Sequence, residues 1–588
     1  MNRPPAPGAI LPPLLRGTKG LLLVWLVASL ILLAIAAPML PGMQAKDPDD
    51  FMRLLEVRDW LSGQSWWDVR QHRMLPPLGA DMHWSRLVDL PIAATLLVFR
   101  LFLAEPAAST AAMALVPLIE LLVAMALIRR LLLALGEREA VALGGAALVP
   151  LFPVLTSNFL PLRIDHHGWQ AILALACMLA TRERTRRGAA IAGLLAGLWL
   201  TISLEGLMLV AALCALLAWR YVATRERALS PFLGAAAVSM TLLFLATRPL
   251  SWLAQPTVDA VSWPHIAAFA AAALLTALAP RLPGQRGPTG RALALAPAAL
   301  AGAAIILAGL GPAAADPFSR MDPIVRRWWF DYIPEGLPIT AQDASTTLML
   351  LWTPGLVAAG WLTLRSIRPA TAARWNEPVA MALIAALLSL VVMRTCVAAQ
   401  LLCVPLSAVM IARALPSLRA SRLMVVRVAG TVLCLVTLTP SLASGLGKHL
   451  PVGAPATSAR PSSAGSAPCR LETLNRLPRS HIFTTLGLGP EILVRTPHSV
   501  VIGSYHRNDA AMRQVIEAFS GDPRTAEGIV RGQHAAYVVL CDSDPESHVM
   551  ASRRGDALAG ALLAGHGPGW LEAVQGFDGA LKVFRVRH

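Results

Sequence analysis

The sequence predicts a polytopic α-helical membrane protein of about thirteen crossings, with a small α/β domain at its C-terminal end. Three observations lead there. Of the 588 residues, 55% are hydrophobic and 15% charged, too apolar for a chain of this length to fold around soluble cores. The apolar residues fall in runs of spanning length separated by short basic blocks, the pattern of membrane helices and cytoplasmic loops. Beyond residue 443 the pattern changes to short β-like runs alternating with helical ones.

The first run, "GLLLVWLVASLILLAIAA", follows Arg3, Arg16 and Lys19 and reads as a signal anchor rather than a cleaved signal peptide. A helix needs roughly 20 residues to cross a hydrocarbon core of about 30 Å. Apolar runs near that length lie at 20–37, 108–128, 139–156, 168–180, 188–203, 205–219, 231–247, 265–280, 292–311, 347–364, 378–393, 397–413 and 423–443. Arginine blocks at 129–138, 182–187, 220–227, 281–291, 365–374 and 413–422 then fall on one side, with the N-terminus, and the positive-inside rule makes that side cytoplasmic. This parity requires that "LPIAATLLVFRLFLA" (90–104) form a helix that does not cross.

The opposite face, periplasmic in a bacterial inner membrane, receives the first loop 38–107, the short segment 157–167, the long loop 312–346 and everything after about 444. The helical domain is thus expected over 1–443, a Pro/Ser/Ala/Gly linker over 444–468, and an α/β domain over 469–588. Its β-like runs are "HIFTTL", "SVVIGSY", "AAYVVLC" and "LKVFRVR"; "DAAMRQVIEAFS" and "GDALAGALLAG" read as helices. The chain has no internal repeat and no nucleotide-binding loop. Its net charge of +16 orients it in the membrane and implies no nucleic-acid partner. Cys177, Cys214, Cys396, Cys403 and Cys434 lie in or beside apolar runs and read as packing residues. Cys469 and Cys541 lie in the tail, where an oxidising compartment permits a disulfide.

Four clusters stand out on the outward face. "KDPDDFMRLLEVRD" packs Asp47, Asp49, Asp50, Arg53, Glu56, Arg58 and Asp59 into about four helical turns. A solvated amphipathic helix is the plain reading, but Trp66, Trp67, His72, His83 and Trp84 follow and suit a folded interfacial structure better. "RIDHHG" sets Arg163, Asp165, His166 and His167 at the mouth of an apolar run. Asp165 and His167, two apart, reach one ion when the backbone turns, and carboxylate plus imidazole suits Mn²⁺ or Mg²⁺ if oxygens complete the shell. His166 is a spare ligand or a partner behind the ligands; the plain alternative is a polar helix start with Asp165 near the N-cap. Arg394 stands in a very short turn between apolar runs, where a lipid phosphate is its natural partner and snorkelling to headgroups the alternative. Glu205, in "TISLEG", occupies another such turn; it could approach the same site, though a helix-start carboxylate is the simpler reading. The loop "DPFSRMDPIVRRWWFDYIPEGLPITAQDAS" is long enough to act as a lid or acceptor loop.

Taken together, these residues resemble the GT-C superfamily of membrane glycosyltransferases, in particular oligosaccharyltransferase catalytic subunits. The resemblance rests on the "DPDDFMR" motif after the first run, the non-crossing helix, the D-x-H motif of the second outward loop, the long late loop, and an arginine near the end of the eleventh run. It implies that Asp49, or Asp50 one register on, is the catalytic carboxylate and binds a divalent metal and the acceptor. It also implies that Asp165 and His167, with His166 beside them, add ligands, and that Arg394 holds the phosphate of a lipid-linked donor, with Arg163 a second candidate. The chain lacks the family's acceptor-reading W-W-D-Y-G motif; "RRWWFDY" stands in a different loop. Where the family carries a glutamate at the end of the long loop, this chain offers Gln342 or Asp343, and His83 is a further candidate for the acceptor side.

The expected function is therefore metal-dependent transfer of a sugar or oligosaccharide from a polyprenyl-phosphate or -pyrophosphate donor, in the membrane lipid, to an acceptor on the periplasmic face. That acceptor is a glycan, a lipid or a protein hydroxyl, and the transfer inverts. A transporter or flippase is the alternative class. It would place ionisable residues near the midplane of broken helices and show paired halves, whereas here the acids lie in outward loops and no halves match.

Overall fold

The computed structural model describes residues 16–449 and 469–587. Arg3 and most of the expected linker, residues 450–468, lie outside the described residues.

Each of the thirteen apolar runs falls on a helix. By length and hydropathy, eight helices among the described residues suffice to cross a membrane, or nine if the bent pair Met424–Leu438 and Ser441–Gly447 is one span. Glu139–Leu151, His167–Thr181 and Asn376–Ser389 are apolar but shorter, so these criteria select fewer spans than the thirteen runs. The segment at 90–104 forms the helix Asp89–Arg100 of 12 residues. At 1.5 Å per residue it is about 18 Å long, too short to span the hydrocarbon core.

The first loop is ordered from its start. Asp47 caps the helix Pro48–Leu61, accepting from Asp49 N at 3.1 Å, and Pro48 occupies the first helical position, where a missing N–H costs nothing. The inner face of this helix includes charge: Arg53 and Glu56 are buried with Arg86 and Asp89. The long loop is built of the short helix Pro323–Trp328 and three single 3-10 turns, Phe330–Tyr332, Pro334–Gly336 and Ile339–Ala341. Backbone bonds from Ile339 N to Leu390 O (2.8 Å) and Met393 N to Leu337 O (3.3 Å) pin its second half against the turn that carries Arg394.

The tail folds around five strands: β1 (His481–Thr484), β2 (Ser499–Val500), β3 (Tyr537–Cys541), β4 (Leu571–Ala573) and β5 (Leu581–Val586), in the order β2-β1-β3-β5-β4. The first three are parallel, and β5 runs antiparallel to β3 and to β4. Helices Asp509–Ser520 and Leu558–Leu563 stand where the sequence placed helical patterns, and Cys469 and Cys541 form a disulfide. The other five cysteines are free and buried or half-buried.

This sheet does not end at β2. Met74 of the first loop bridges to Val500, and the Arg73 guanidinium donates to Thr496 O and Leu493 O at 2.9 and 2.7 Å. One hydrophobic core runs from Phe51, Met52 and Met74 of the first loop into Ile482, Val500 and Val538 of the sheet. An edge strand that would otherwise expose unpaired backbone is covered, and the tail is fixed over the first loop.

Candidate active site

The two acidic segments of the sequence meet. Asp50 Oδ1 accepts from Ile164 N at 2.8 Å and Asp165 N at 3.2 Å, and Arg163 Nη1 lies 3.2 Å from Asp50 Oδ2 and 2.6 Å from Asp47 Oδ2. Asp50 is 1% exposed, and its lone pairs are spent on holding the second motif's backbone. Asp49 is half-buried, and its carboxylate has no hydrogen bond among the described residues.

Asp165 is at the centre. Its Oδ1 lies 2.5 Å from His166 Nδ1. Its Oδ2 is buried without a hydrogen-bond partner, 3.2 Å from His167 Nε2 and 3.9 Å from Arg163. On the far side of the histidines stands Glu205, whose Oε2 is 3.8 Å from His166 Nε2 and 4.0 Å from His167 Nδ1. Arg394 pairs directly with Glu205, and its other terminal nitrogen is 3.6 Å from Glu335 Oε1. Glu335 Oε2 in turn is 4.0 Å from His167 Nε2. The result is a continuous chain of opposite charges from Asp47 and Asp50 through Arg163, Asp165, the two histidines and the two glutamates to Arg394.

Charge in this chain is unevenly shared. Burial alone would raise the pKa of Asp165, but His166, His167 and Arg163 overcome it and hold the carboxyl well below its usual range. Burial opposes charge on His166 as well, yet Asp165 and Glu205 lift it to about 10, so it is a cation at neutral pH. Asp49 is pushed well above the usual range, first by burial and then by Asp47, Asp165 and Glu335. Burial takes Asp50 to about 7 against the pull of Arg163. An excess of carboxylate around Asp49, with an unsatisfied oxygen on Asp165, is an environment that a cation would relieve. One ligand atom each of Asp165, His166 and His167 falls within 4.8 Å of the others, a donor set that fits a divalent ion, with Asp49 near enough to feel the charge of Asp165.

Two cavities open on the chain. One of about 340 Å³ has Arg163, His167, Glu335 and Arg394 at its polar end and Met39 and Val154 among its apolar walls. The other, about 780 Å³, lies between the first loop, the long loop and the tail, and is lined by Asp49, Trp329, Tyr332 and Glu335 with Glu491 and Asp544 of the tail. Asp47 and Glu335 line both. The acidic ridge therefore divides an arginine-lined cavity with apolar walls from an aromatic and acidic one.

Three of the sequence candidates lie elsewhere. The Gln342 amide donates to Pro334 O at 2.6 Å and holds the long loop together, while Asp343 is exposed and caps the helix Ala344–Ile367 through Thr346 N. Neither reaches the histidines. Glu335, seven residues before Gln342, fills the place expected of them, because the turns after it carry the loop away from the site. It is the only glutamate in the loop 312–346, a signal the sequence did contain. His83 joins a different cluster. Glu205, weighed as a plain helix-start group, belongs to the site through its pairing with Arg394.

Gly168 shows how tightly the motif is seated. A Cβ there would lie 2.0 Å from Glu120 Oε2 and 3.2 Å from Phe159, and Glu120 is fully buried. Gly168→Ala is expected to cost about 1–3 kcal/mol by overpacking and to displace His167. Thermal melts of the purified protein should show the loss, and Gly168→Ala combined with Glu120→Ala should recover part of it. An alanine variant as stable as the parent would contradict this packing.

Neither a family model nor a curated protein matches the chain. Solved structures do. An archaeal oligosaccharyltransferase from Archaeoglobus fulgidus, in complex with an inhibitory peptide and a dolichol-phosphate, aligns over 94% of this chain and 72% of its own, with a TM-score of 0.62 at 15% identity. The chain shares the fold of this archaeal oligosaccharyltransferase. The apo form of the archaeal protein gives a TM-score of 0.64 at 14% identity, over 95% of this chain and 73% of that one. Its complex with Zn and sulfate gives 0.57 at 14% identity, over 96% and 73%. At such identities the GT-C likeness is one of fold, and the chemistry has to be argued from the residues above.

Proposed function

We propose that the chain is a metal-dependent glycosyltransferase of the bacterial inner membrane. It moves a sugar or oligosaccharide from a polyprenyl-phosphate or -pyrophosphate donor to an acceptor on the periplasmic face. The observation that carries this reading is the acidic ridge itself: Asp49, Asp50 and Asp165 converge beside Arg394, between one cavity with apolar walls and one open to polar groups. A lipid-linked donor has those two halves, an apolar chain and a phosphate, and the arginine-lined cavity suits it. The archaeal neighbours support the reading, since one is in complex with a dolichol-phosphate, another with Zn and sulfate, and a third is tethered to an acceptor peptide containing the NVT sequon. The tail disulfide agrees with an oxidising, periplasmic side.

Each residue then has a task. Arg394, held by Glu205 and Glu335, presents its guanidinium to the donor phosphate. Asp50 and Arg163 fix the backbone of the second motif, and His166 orients Asp165. Asp49, Asp165 and His167 would hold a divalent ion, Mn²⁺ or Mg²⁺ in the first instance, which would supply positive charge to offset that of the departing phosphate. Asp49 accepts the proton from the acceptor hydroxyl as its oxygen bonds to the anomeric carbon, and the bond from that carbon to the phosphate oxygen breaks with its electron pair leaving on the phosphate. A single displacement inverts the anomeric centre. The acceptor enters from the larger cavity, where Trp329 and Tyr332 suit stacking on a glycan. Protein N-glycosylation is not proposed, because the acceptor-reading motif is missing.

Asp49→Ala, Asp165→Ala and Arg394→Ala should each lower glycan transfer in isolated membranes by about 10²-fold or more, with unchanged membrane insertion. Parent-like transfer in all three would overturn the assignment.

A further inference from the structure

A second cluster of metal-ligating side chains lies apart from the ridge. His83 comes from the first loop, Asp259 from the loop between the helices Leu229–Thr247 and Trp263–Leu278, and His506 from the tail. One ligand atom from each falls within 4.8 Å of the others. His506 Nε2 is 2.8 Å from Asp259 Oδ2, and the rings of His83 and His506 are 4.7 Å apart between centroids. Phe318 of the long loop lies edge-on to His506 at 5.5 Å.

Two features set this group apart from an ordinary hydrogen-bonded contact. The imidazole of His83 is half-buried and has no hydrogen-bond partner among the described residues, although a carboxylate and a second imidazole stand beside it. Asp259, in turn, is held from behind. Arg507 Nε donates to its Oδ2 and Nη2 to its Oδ1, both at 2.7 Å, and Arg507 Nη1 reaches Asp81 at 3.4 Å. A carboxylate oriented by a fixed donor pair is how ligating carboxylates are supported from outside a metal's immediate shell.

We propose that His83, Asp259 and His506 form a second divalent-metal site, of the zinc type, that staples the tail domain to the helical part. Two imidazoles and one carboxylate are a preferred zinc donor set, with a water completing the tetrahedron. Zinc–nitrogen bonds of about 2.0–2.1 Å place neighbouring ligand atoms about 3.4 Å apart. The pair His506 and Asp259 must open by about half an ångström to admit the ion, and His83 must close on it. The three ligands come from three segments that are remote in sequence, so the ion ties the first loop and the tail, which both contribute walls to the larger cavity, to the loop that carries Asp259. The site stands independently of the catalytic reading.

Elemental analysis of the purified full chain, stripped with a chelator and reloaded with Zn²⁺, tests this. Asp165→Asn with His167→Gln is expected to leave about one zinc per chain, and adding His83→Gln and His506→Gln to remove it. His83→Gln alone should weaken zinc binding at least about 10-fold, since loss of an outer-shell partner already costs that much. His83 makes no side-chain hydrogen bond, so this single variant is expected to fold, as an unchanged melting temperature of the metal-free protein would show. No zinc in the Asp165→Asn/His167→Gln protein, or zinc unaffected by the histidine substitutions, would overturn the proposal.

Discussion

Asp49→Asn is expected to lower sugar transfer by about 10³-fold while leaving the protein as stable as the parent, and Asp50→Ala to fail for a different reason. The two residues are adjacent in sequence and opposite in circumstance. The Asp49 carboxylate makes no hydrogen bond among the described residues and lines the larger cavity, so an amide in its place removes a base and a ligand but no structural bond. Asp50 accepts from the amides of Ile164 and Asp165 and pairs with Arg163. Its removal strands two amide donors, at about 1–3 kcal/mol each, and leaves Arg163 short of one partner. Asp50→Ala should thus lower the melting temperature and divalent-ion affinity together, whereas Asp50→Asn, which keeps an acceptor oxygen, should recover much of the stability. Melting curves and transfer rates on the three variants separate these roles. Parent-like transfer by Asp49→Asn, or parent-like stability in Asp50→Ala, would reverse the assignment of tasks along "DPDD".

Much of this was legible in the sequence because membrane helices announce themselves one at a time. Each apolar run is a local signal, and each fell on a helix. So did the short helix Asp89–Arg100, whose non-crossing character was inferred from loop charge and agrees with its length. The number of crossings was less legible. Runs such as 139–156 and 378–393 become helices of marginal length, Glu139–Leu151 and Asn376–Ser389, that pack one face into the bundle and leave residues such as Leu151 and Leu387 exposed. In the tail, four of the five strands had β-like runs. β4 was missed because "LEA" is short and carries no β-branched residue, and its strand conformation comes from pairing with β5.

At the site, the residue types were readable and their assignment to tasks was not. Which of Asp49 and Asp50 faces the larger cavity depends on where the backbone of residues 164 and 165 docks, over a hundred residues away. Position along the loop points to Gln342 and Asp343, whereas three successive tight turns bring Glu335 to Arg394. The cluster of His83, Asp259 and His506 is not legible for the same reason: Asp259 and His506 carry no signal in their own segments, His83 reads only as an acceptor-side candidate, and the three meet only in the folded chain.

The first loop that receives the tail is itself built around a buried ionic group, and its removal should be the most damaging single change outside the ridge. Asp89 is 0% exposed and takes Arg53 on one oxygen at 3.0 Å and Arg86 on the other at 3.1 Å. Arg53 and Arg86 are each 1% exposed. Arg53 also lies over the Trp84 ring at 4.4 Å, while Arg86 donates to the backbone oxygens of Glu56 and Asp68 at 3.2 and 2.5 Å. One carboxylate thus joins the helix Pro48–Leu61, the His83–Trp84 segment and the start of the helix Asp89–Arg100. Asp89→Ala leaves two guanidinium groups in a dry interior with Glu56, 3.5 Å from Arg53, as the remaining carboxylate in ion-pair range among the described residues, an imbalance that costs about 3–5 kcal/mol. Replacing the charged group as a whole by apolar residues of similar volume would cost less, because no unpaired charge stays behind. Asp89→Ala is therefore expected to lower the melting temperature, expose the first loop to limited proteolysis, and abolish transfer although Asp89 touches neither cavity. If the variant instead resists protease like the parent, the first loop is held by its apolar contacts to the tail, and the buried charges are incidental to the placement of Asp49.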